Sequence, residues 1–179
     1  MNTICIIYGF AEGRYISAGM RKALRGHGFK VVKAPSEASV LLAHSGGCYM
    51  LPQSHNAKLV VLVDPPMWLD RKPLKGLPAK LRNEDRTAYW YKKTAFNLWY
   101  LASRPARWFR MGRFIKLDAI NTLNAKTVVI RIKDDSFAHP EHVLARVSEC
   151  EWTVCSLEGG HDDLWERPDR YVKLIDSVI

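Results

Sequence analysis

Short, mostly apolar runs separated by polar, glycine-punctuated stretches set the rhythm of this chain. Ile4–Tyr8, Phe29–Val32, Val40–Ala43, Lys58–Val63, Thr127–Ile132 and Glu151–Ser156 are too short for ordinary helices and rich in Val, Ile and Leu, and they predict buried strands. Gly9 and Gly13 mark a loop after the first run. Ile16, Met20, Ala23 and Leu24 then recur at helical spacing, and Gly26 and Gly28 stop that stripe. Further helices are predicted after Ser45, near Glu141–Ser148, and from Pro168 onward, where Val172, Ile175 and Val178 form the apolar face. Strands alternating with helices imply a parallel sheet with helices on both faces. One spacing is unusual: only Lys33 to Ser39 separate the second and third strands, fewer than the dozen or so residues of an ordinary parallel crossover. Either a single turn around Pro35–Ala38 makes that crossing, or the second strand is displaced or frayed.

Composition narrows the class. The chain has 179 residues, 47% of them hydrophobic, which suits one domain over 1–179 with a single sizeable core. No apolar run reaches the roughly 18 residues of a membrane span. Met1 to Phe10 has no basic leader or small-residue cleavage site, so it reads as a first strand. Cys5, Cys48, Cys150 and Cys155 show no C-x-x-C spacing, and three lie in or beside apolar segments. Buried, reduced thiols and a cytoplasmic location are the expectation.

Candidate chemistry gathers where strands end. Val40-Leu41-Leu42-Ala43-His44-Ser45-Gly46-Gly47 is a buried strand that breaks at a serine between small residues. Small neighbours permit the sharp strand-to-helix turn that lifts a hydroxyl above a sheet edge, the G-x-S-x-G nucleophile elbow, with Ala43 in place of the first glycine. Lys133-Asp134-Asp135-Ser136-Phe137-Ala138-His139-Pro140 follows the fifth strand with a pair of carboxylates, and Glu158-Gly159-Gly160-His161-Asp162-Asp163 follows the sixth with a histidine. A neutral histidine can take a serine's proton, and a carboxylate fixes its tautomer. All three segments lie just past predicted strand ends, where open α/β sheets place their sites.

On "AHSGG", "KDDSFAHP" and "EGGHDDLWERPDRY" the chain resembles the α/β-hydrolase superfamily, in particular its small single-domain serine hydrolases. The resemblance runs from about residue 4 to 179 and is weak over 66–125. It implies a three-layer α/β/α sandwich with a mostly parallel six-stranded sheet, the last six of the usual eight strands, and a helical cap. It also implies a helix between the second and third strands. The implied activity is hydrolysis of a carboxylic ester, or by the same parts a thioester or amide, through an acyl-enzyme on Ser45, with a small-molecule acyl ester as substrate. His161 would be the base. Asp135 aligns with the family's acid, although the proline comes one residue late and a slip to Asp134 stays open. Asp162 and Asp163 are assigned to capping the final helix. The oxyanion hole would use the backbone N–H of Gly46 and, from Tyr8-Gly9-Phe10-Ala11-Glu12-Gly13, that of Phe10. The family's usual His-Gly is Tyr8-Gly9 here.

Residues 66–125 stand apart. They hold 13 Lys and Arg against four Asp and Glu, a balance of +9 that equals that of the whole chain, and ten of the 19 aromatic residues, including Trp68, Trp90, Trp99 and Trp108. Runs such as Ala88–Lys93 and Arg107–Met111 suit helices with one aromatic and one basic face. The family places a cap over the nucleophile here, its aromatics covering the site and its charges solvated. Alternatively the basic face attracts an anionic partner: an acidic acyl substrate, a phospholipid surface or nucleic acid. A non-catalytic basic binding module on the same fold is the competing reading of the whole chain. His44 is expected to pack or hydrogen-bond locally, His139 and His142 to lie beside the acid loop, and His27 and His55 to sit in surface turns. No spacing suits a metal site, and glycines 9, 13 and 19 do not form a dinucleotide fingerprint, so neither metal nor organic cofactor is expected.

Overall fold

The computed structural model describes residues 1–9, 12–52, 54–65, 125–133 and 147–179, together with Tyr91, Ala95, Leu98, Trp99, Ala102, Ser103, Ile120 and Leu144. Six strands form one parallel sheet: β1 (Thr3–Ile7), β2 (Lys30–Val32), β3 (Val40–His44), β4 (Leu59–Val63), β5 (Lys126–Ile132) and β6 (Thr153–Leu157). Their order is β2-β1-β3-β4-β5-β6. The described helices are α1 (Ala18–Gly26), α2 (Asp163–Glu166) and α3 (Pro168–Val178), with short 3₁₀ helices at Pro35–Glu37 and Ser45–Met50.

Two-sided burial explains why the strands read as continuous apolar runs. Ile4, Ile6, Val40, Leu42, Val61, Val63, Val128 and Ile130 join one core with Met20, Leu24, Trp165, Tyr171 and Ile175 from the helices. The residues between them, Cys5, Leu41, Ala43, Val60, Leu62 and Val129, face a second core with Cys48, Leu51 and Val147. The protein is therefore three-layered, as the alternation of strand and helix predicts. Each Val, Leu or Ile that is fully buried here contributes about 1.5–3 kcal/mol. α1 packs along α3 on the first face, through the stripe of Met20, Ala23 and Leu24. Pro168 occupies the first turn of α3 as expected, and Tyr171 joins Val172 and Ile175 as a buried residue of that helix.

The short link between β2 and β3 is a genuine crossing. β2 pairs with one side of β1 and β3 with the other, so the chain passes over β1 in a single 3₁₀ turn at Pro35–Glu37. Backbone bonds and hydroxyls fasten the turn to the start of β1. Ser39 Oγ donates to the Thr3 carbonyl at 3.0 Å and accepts from Thr3 N at 3.0 Å, and Thr3 Oγ1 donates to the Glu37 carbonyl at 2.9 Å.

Two local expectations are corrected. The helix after Ser45 is only a six-residue 3₁₀ helix, because Pro52 holds the preceding Leu51 extended, at φ −56° and ψ 136°. The sixth strand starts at Thr153 rather than Glu151, because Glu151 has φ 55° and cannot continue a strand.

Candidate active site

The reversal of strand order puts the carboxyl ends of β1 and β3 side by side at the centre of the sheet, with the chain leaving them in different directions. Such a switch point opens a crevice. Ser45 stands there, the first residue after β3, with φ 51°. A non-glycine residue in the left-handed region is strained by about 1–3 kcal/mol and is held there only by its surroundings. The surroundings are tight: a Cβ on Gly47 would lie 2.6 Å from the Ile7 carbonyl oxygen and 2.7 Å from that of Tyr8. Glycine is thus required at 47 because the elbow presses against the end of β1. Ala43, by contrast, is an ordinary fully buried strand residue, so the absence of the usual first glycine leaves the turn intact.

Past β6, the chain turns through Gly159 and Gly160 to bring His161 back over the elbow. His161 Nε2 lies 2.9 Å from Ser45 Oγ, a hydrogen bond between residues 116 positions apart in sequence. Ser45 and Gly46 are both half-buried. Gly46 sits in the first turn of its 3₁₀ helix, where a backbone N–H has no acceptor within the helix. Of the residues singled out in the sequence, the structure thus brings together Ser45, Gly46 and His161. Phe10, Asp134, Asp135, His139 and His142 lie outside the described residues.

His44 does more than pack locally. It is fully buried, its Nδ1 lies 2.8 Å from Glu12 Oε1, and its Nε2 lies 2.9 Å from the backbone carbonyl of His161. Its ring also stands 5.0 Å from that of His161, centre to centre, and meets Trp165 edge-on at 5.3 Å. Glu12 was not legible as a functional residue, since it is one acidic residue in a loop. In the fold it is buried, and it accepts from Gly9 N at 2.6 Å and Trp165 Nε1 at 3.0 Å. A Cβ on Gly9 would come within 2.8 Å of Glu12 Oε2 and 2.9 Å of the His44 carbonyl oxygen, so that glycine permits a second close approach.

Asp64 is another buried carboxylate that the sequence left unmarked. It follows β4 with φ 43°, and its Oδ1 accepts from Ile132 N at 2.7 Å. That bond fixes the end of β5, two residues before the Asp134-Asp135 pair begins. Asp162 and Asp163 do not cap the final helix as assigned. Asp162 occupies the N-cap of the four-residue α2 without a side-chain cap bond. Asp163 is buried, accepts from Tyr171 Oη at 3.3 Å, and pairs with Arg167 at 3.4 Å and Arg170 at 3.5 Å. It thereby anchors the loop that carries His161 to α3.

Glu12, His44 and Asp162 each offer a ligand atom within 4.8 Å of the others, a grouping that no spacing in the sequence announced. The Glu12 carboxylate and both ring nitrogens of His44 are engaged in the bonds above. Cys5 and Cys48 are buried, Cys150 and Cys155 half-buried, and none of the four forms a disulfide. Burial, with Glu37 adding to it, pushes the Cys5 thiol up to about 11, and burial, with Asp64 adding to it, raises that of Cys48 well above the usual thiol range. Both stay protonated near neutrality and are poor nucleophiles. Among the described residues no helix is long and apolar enough to cross a membrane. Within 66–125, Tyr91 and Trp99 are described and exposed at 56% and 65%, so neither is buried over the site. The rest of that segment's aromatic and basic residues lie outside the described residues.

A parallel six-stranded sheet with an elbow serine after one strand and a histidine loop after the last is the α/β-hydrolase fold, and solved structures agree. A carboxylesterase from Nitrososphaera gargenis superposes with a TM-score of 0.64 over 99% of this chain and 89% of its own, at 11% identity. The N-formylmaleamic acid deformylase of Pseudomonas putida gives 0.62 over 97% and 91%, at 12% identity. A thioesterase domain from the curacin biosynthetic pathway gives 0.61 over 97% and 90%, also at 12% identity. Identities this low make the likeness one of fold. No protein-family model and no curated protein matches the sequence.

Proposed function

We propose that this protein is a serine hydrolase that cleaves a carboxylic ester through an acyl-enzyme on Ser45. The observation that carries the reading is the 2.9 Å contact between His161 Nε2 and the hydroxyl of a serine strained into the left-handed region at a strand end. A binding module has no use for that pairing, whereas a hydrolase needs it. In the proposed cycle His161 Nε2 takes the Ser45 proton as Oγ attacks the acyl carbonyl, and the negative oxygen is held by the N–H groups of Gly46 and Phe10. His161 then protonates the leaving alkoxide, leaving the acyl group on Ser45. Water, deprotonated by His161, attacks that ester, and His161 returns the proton to Ser45 Oγ as the acid departs. Asp135 holds the other side of the imidazole. A thioester or amide is open to the same steps, with thiolate or amine as leaving group, and neighbours that are a thioesterase domain and a deformylase support that breadth.

In this reading 1–179 is one catalytic domain, 66–125 is its cap, and the cap's +9 balance favours anionic substrates or surfaces. Four thiols outside any disulfide support a reducing, cytoplasmic setting. A fluorophosphonate probe tests the core of the proposal. It should label Ser45 alone, and Ser45→Ala should abolish labelling while the thermal transition persists. Labelling at another serine, or none while a control hydrolase reacts, would overturn it.

A further inference from the structure

The proposed cycle uses Ser45 and His161 but leaves unexplained the buried carboxylate beneath them. Glu12 is 2% exposed, and the partners named here come from three separate parts of the chain. Oε2 accepts from Gly9 N, on the loop that leaves β1, at 2.6 Å. Oε1 accepts from Trp165 Nε1, on α2, at 3.0 Å, and meets His44 Nδ1, at the end of β3, at 2.8 Å. His44 passes the connection on: its Nε2 donates to the His161 carbonyl oxygen at 2.9 Å. Gly9 immediately precedes Phe10, the proposed second oxyanion donor. His44 immediately precedes the nucleophile, and His161 is the base. One carboxylate therefore ties the oxyanion loop, the elbow and the base loop together.

We infer that Glu12 is a positioning residue: acting through Gly9 and His44, it sets the register of the oxyanion loop and of His161 against Ser45. The inference rests on the reading of Ser45 and His161 as nucleophile and base. Its chemistry is particular to a carboxylate. Gly9 and Trp165 both present N–H donors to it. A glutamine of the same shape would turn its NH₂ toward one of these donors, whichever way the amide lay. The bonds on that side would open and the loop they hold would move. Displacement of reacting groups by about 1 Å costs on the order of 10²-fold in rate.

The test is Glu12→Gln in the full chain, read by the rate and final stoichiometry of fluorophosphonate labelling and by kcat and KM on a p-nitrophenyl ester. A positioning role predicts that Ser45 is still labelled to the same stoichiometry, about 10- to 100-fold more slowly, with kcat reduced to match and KM within about threefold. A purely structural role would instead lower the labelled fraction while the surviving molecules react at the original rate, and that result overturns the inference. Should Glu12→Gln fail to fold, Trp165→Phe removes one donor and keeps a ring beside Tyr8 and His44. It should slow labelling in the same way, and an unchanged rate constant overturns the inference. If the unsubstituted protein takes up no probe at Ser45, the proposed function itself falls and the inference with it. That outcome is distinct from labelling that proceeds equally with and without Glu12.

Discussion

Replacing Gly47 with alanine probes the elbow without touching a reacting group. The added Cβ would sit 2.6 Å from the Ile7 carbonyl oxygen, 2.7 Å from that of Tyr8 and 2.8 Å from the Tyr8 carbonyl carbon. All three are backbone atoms, so no side chain can rotate away. Ordinary van der Waals contact requires the end of β1 and the elbow to part by something on the order of 1 Å. Overpacking of this kind costs about 1–3 kcal/mol. For a chain of this length each kcal/mol lowers Tm by about 2–4 °C, so a fall of roughly 2–12 °C is expected. The same displacement separates Ser45 from the loop that leaves β1, and on the proposed function fluorophosphonate labelling should slow by about 10²-fold. Gly26→Ala is the matched control. Gly26 is exposed at the last turn of α1, with nothing within 4 Å of an added Cβ, so alanine there should raise stability by about 0.4–1 kcal/mol and leave labelling unchanged. Thermal melts by circular dichroism and labelling rate constants read both variants. If Gly47→Ala melts with the unsubstituted protein, or labels as fast, the argument from close backbone approach is wrong.

Three further outcomes are expected. Asp135→Asn should lower kcat by about 10⁴-fold and Asp134→Asn far less, in steady-state assays on a p-nitrophenyl ester; the reverse ranking assigns the acid to Asp134. Replacing Arg107, Arg110 and Arg113 together with glutamine should raise KM for anionic esters at low salt and leave neutral short-chain esters alone. Weaker binding to anionic vesicles or DNA with unchanged kinetics would instead assign the basic segment to a partner. Stability should decline in alkali, because the folded state keeps the Cys5 proton up to about 11 while the unfolded thiol releases it near 9.0. The folded chain then binds more protons across that window, so ΔG of unfolding falls as pH rises through it, by about 3 kcal/mol from this thiol. Tyr171, raised by burial and by Asp163, acts in the same direction. Urea midpoints measured from neutrality into that window check the slope, and Cys5→Ala should flatten it.

Much of this protein is written locally. Two-sided burial forces unbroken apolar strands, so each strand of the sheet is visible as a run of Val, Ile and Leu, with ends misplaced by only a residue or two. The sharp turn at Ser45 is legible for a similar reason: it needs small neighbours within a few positions, and Gly46 and Gly47 follow it directly. The histidine in its glycine-rich loop after the last strand carries the same kind of local mark. Other features depend on which strands become neighbours. The crossing of β2 to β3 over β1 could not be chosen from seven intervening residues, because either edge of the sheet would accept a short strand. The bond from Asp64 to Ile132 exists only because β4 and β5 pair. Glu12, His44, His161 and Trp165 meet because the strand order reverses beside β1, which brings together residues separated by 32 to 153 positions. A carboxylate exposed in a loop and one buried under a histidine have the same letter in the sequence. Only the packing of the ends of β1 and β3 and of α2 around Glu12 removes it from water, and burial is what turns its hydrogen bonds from optional to obligatory.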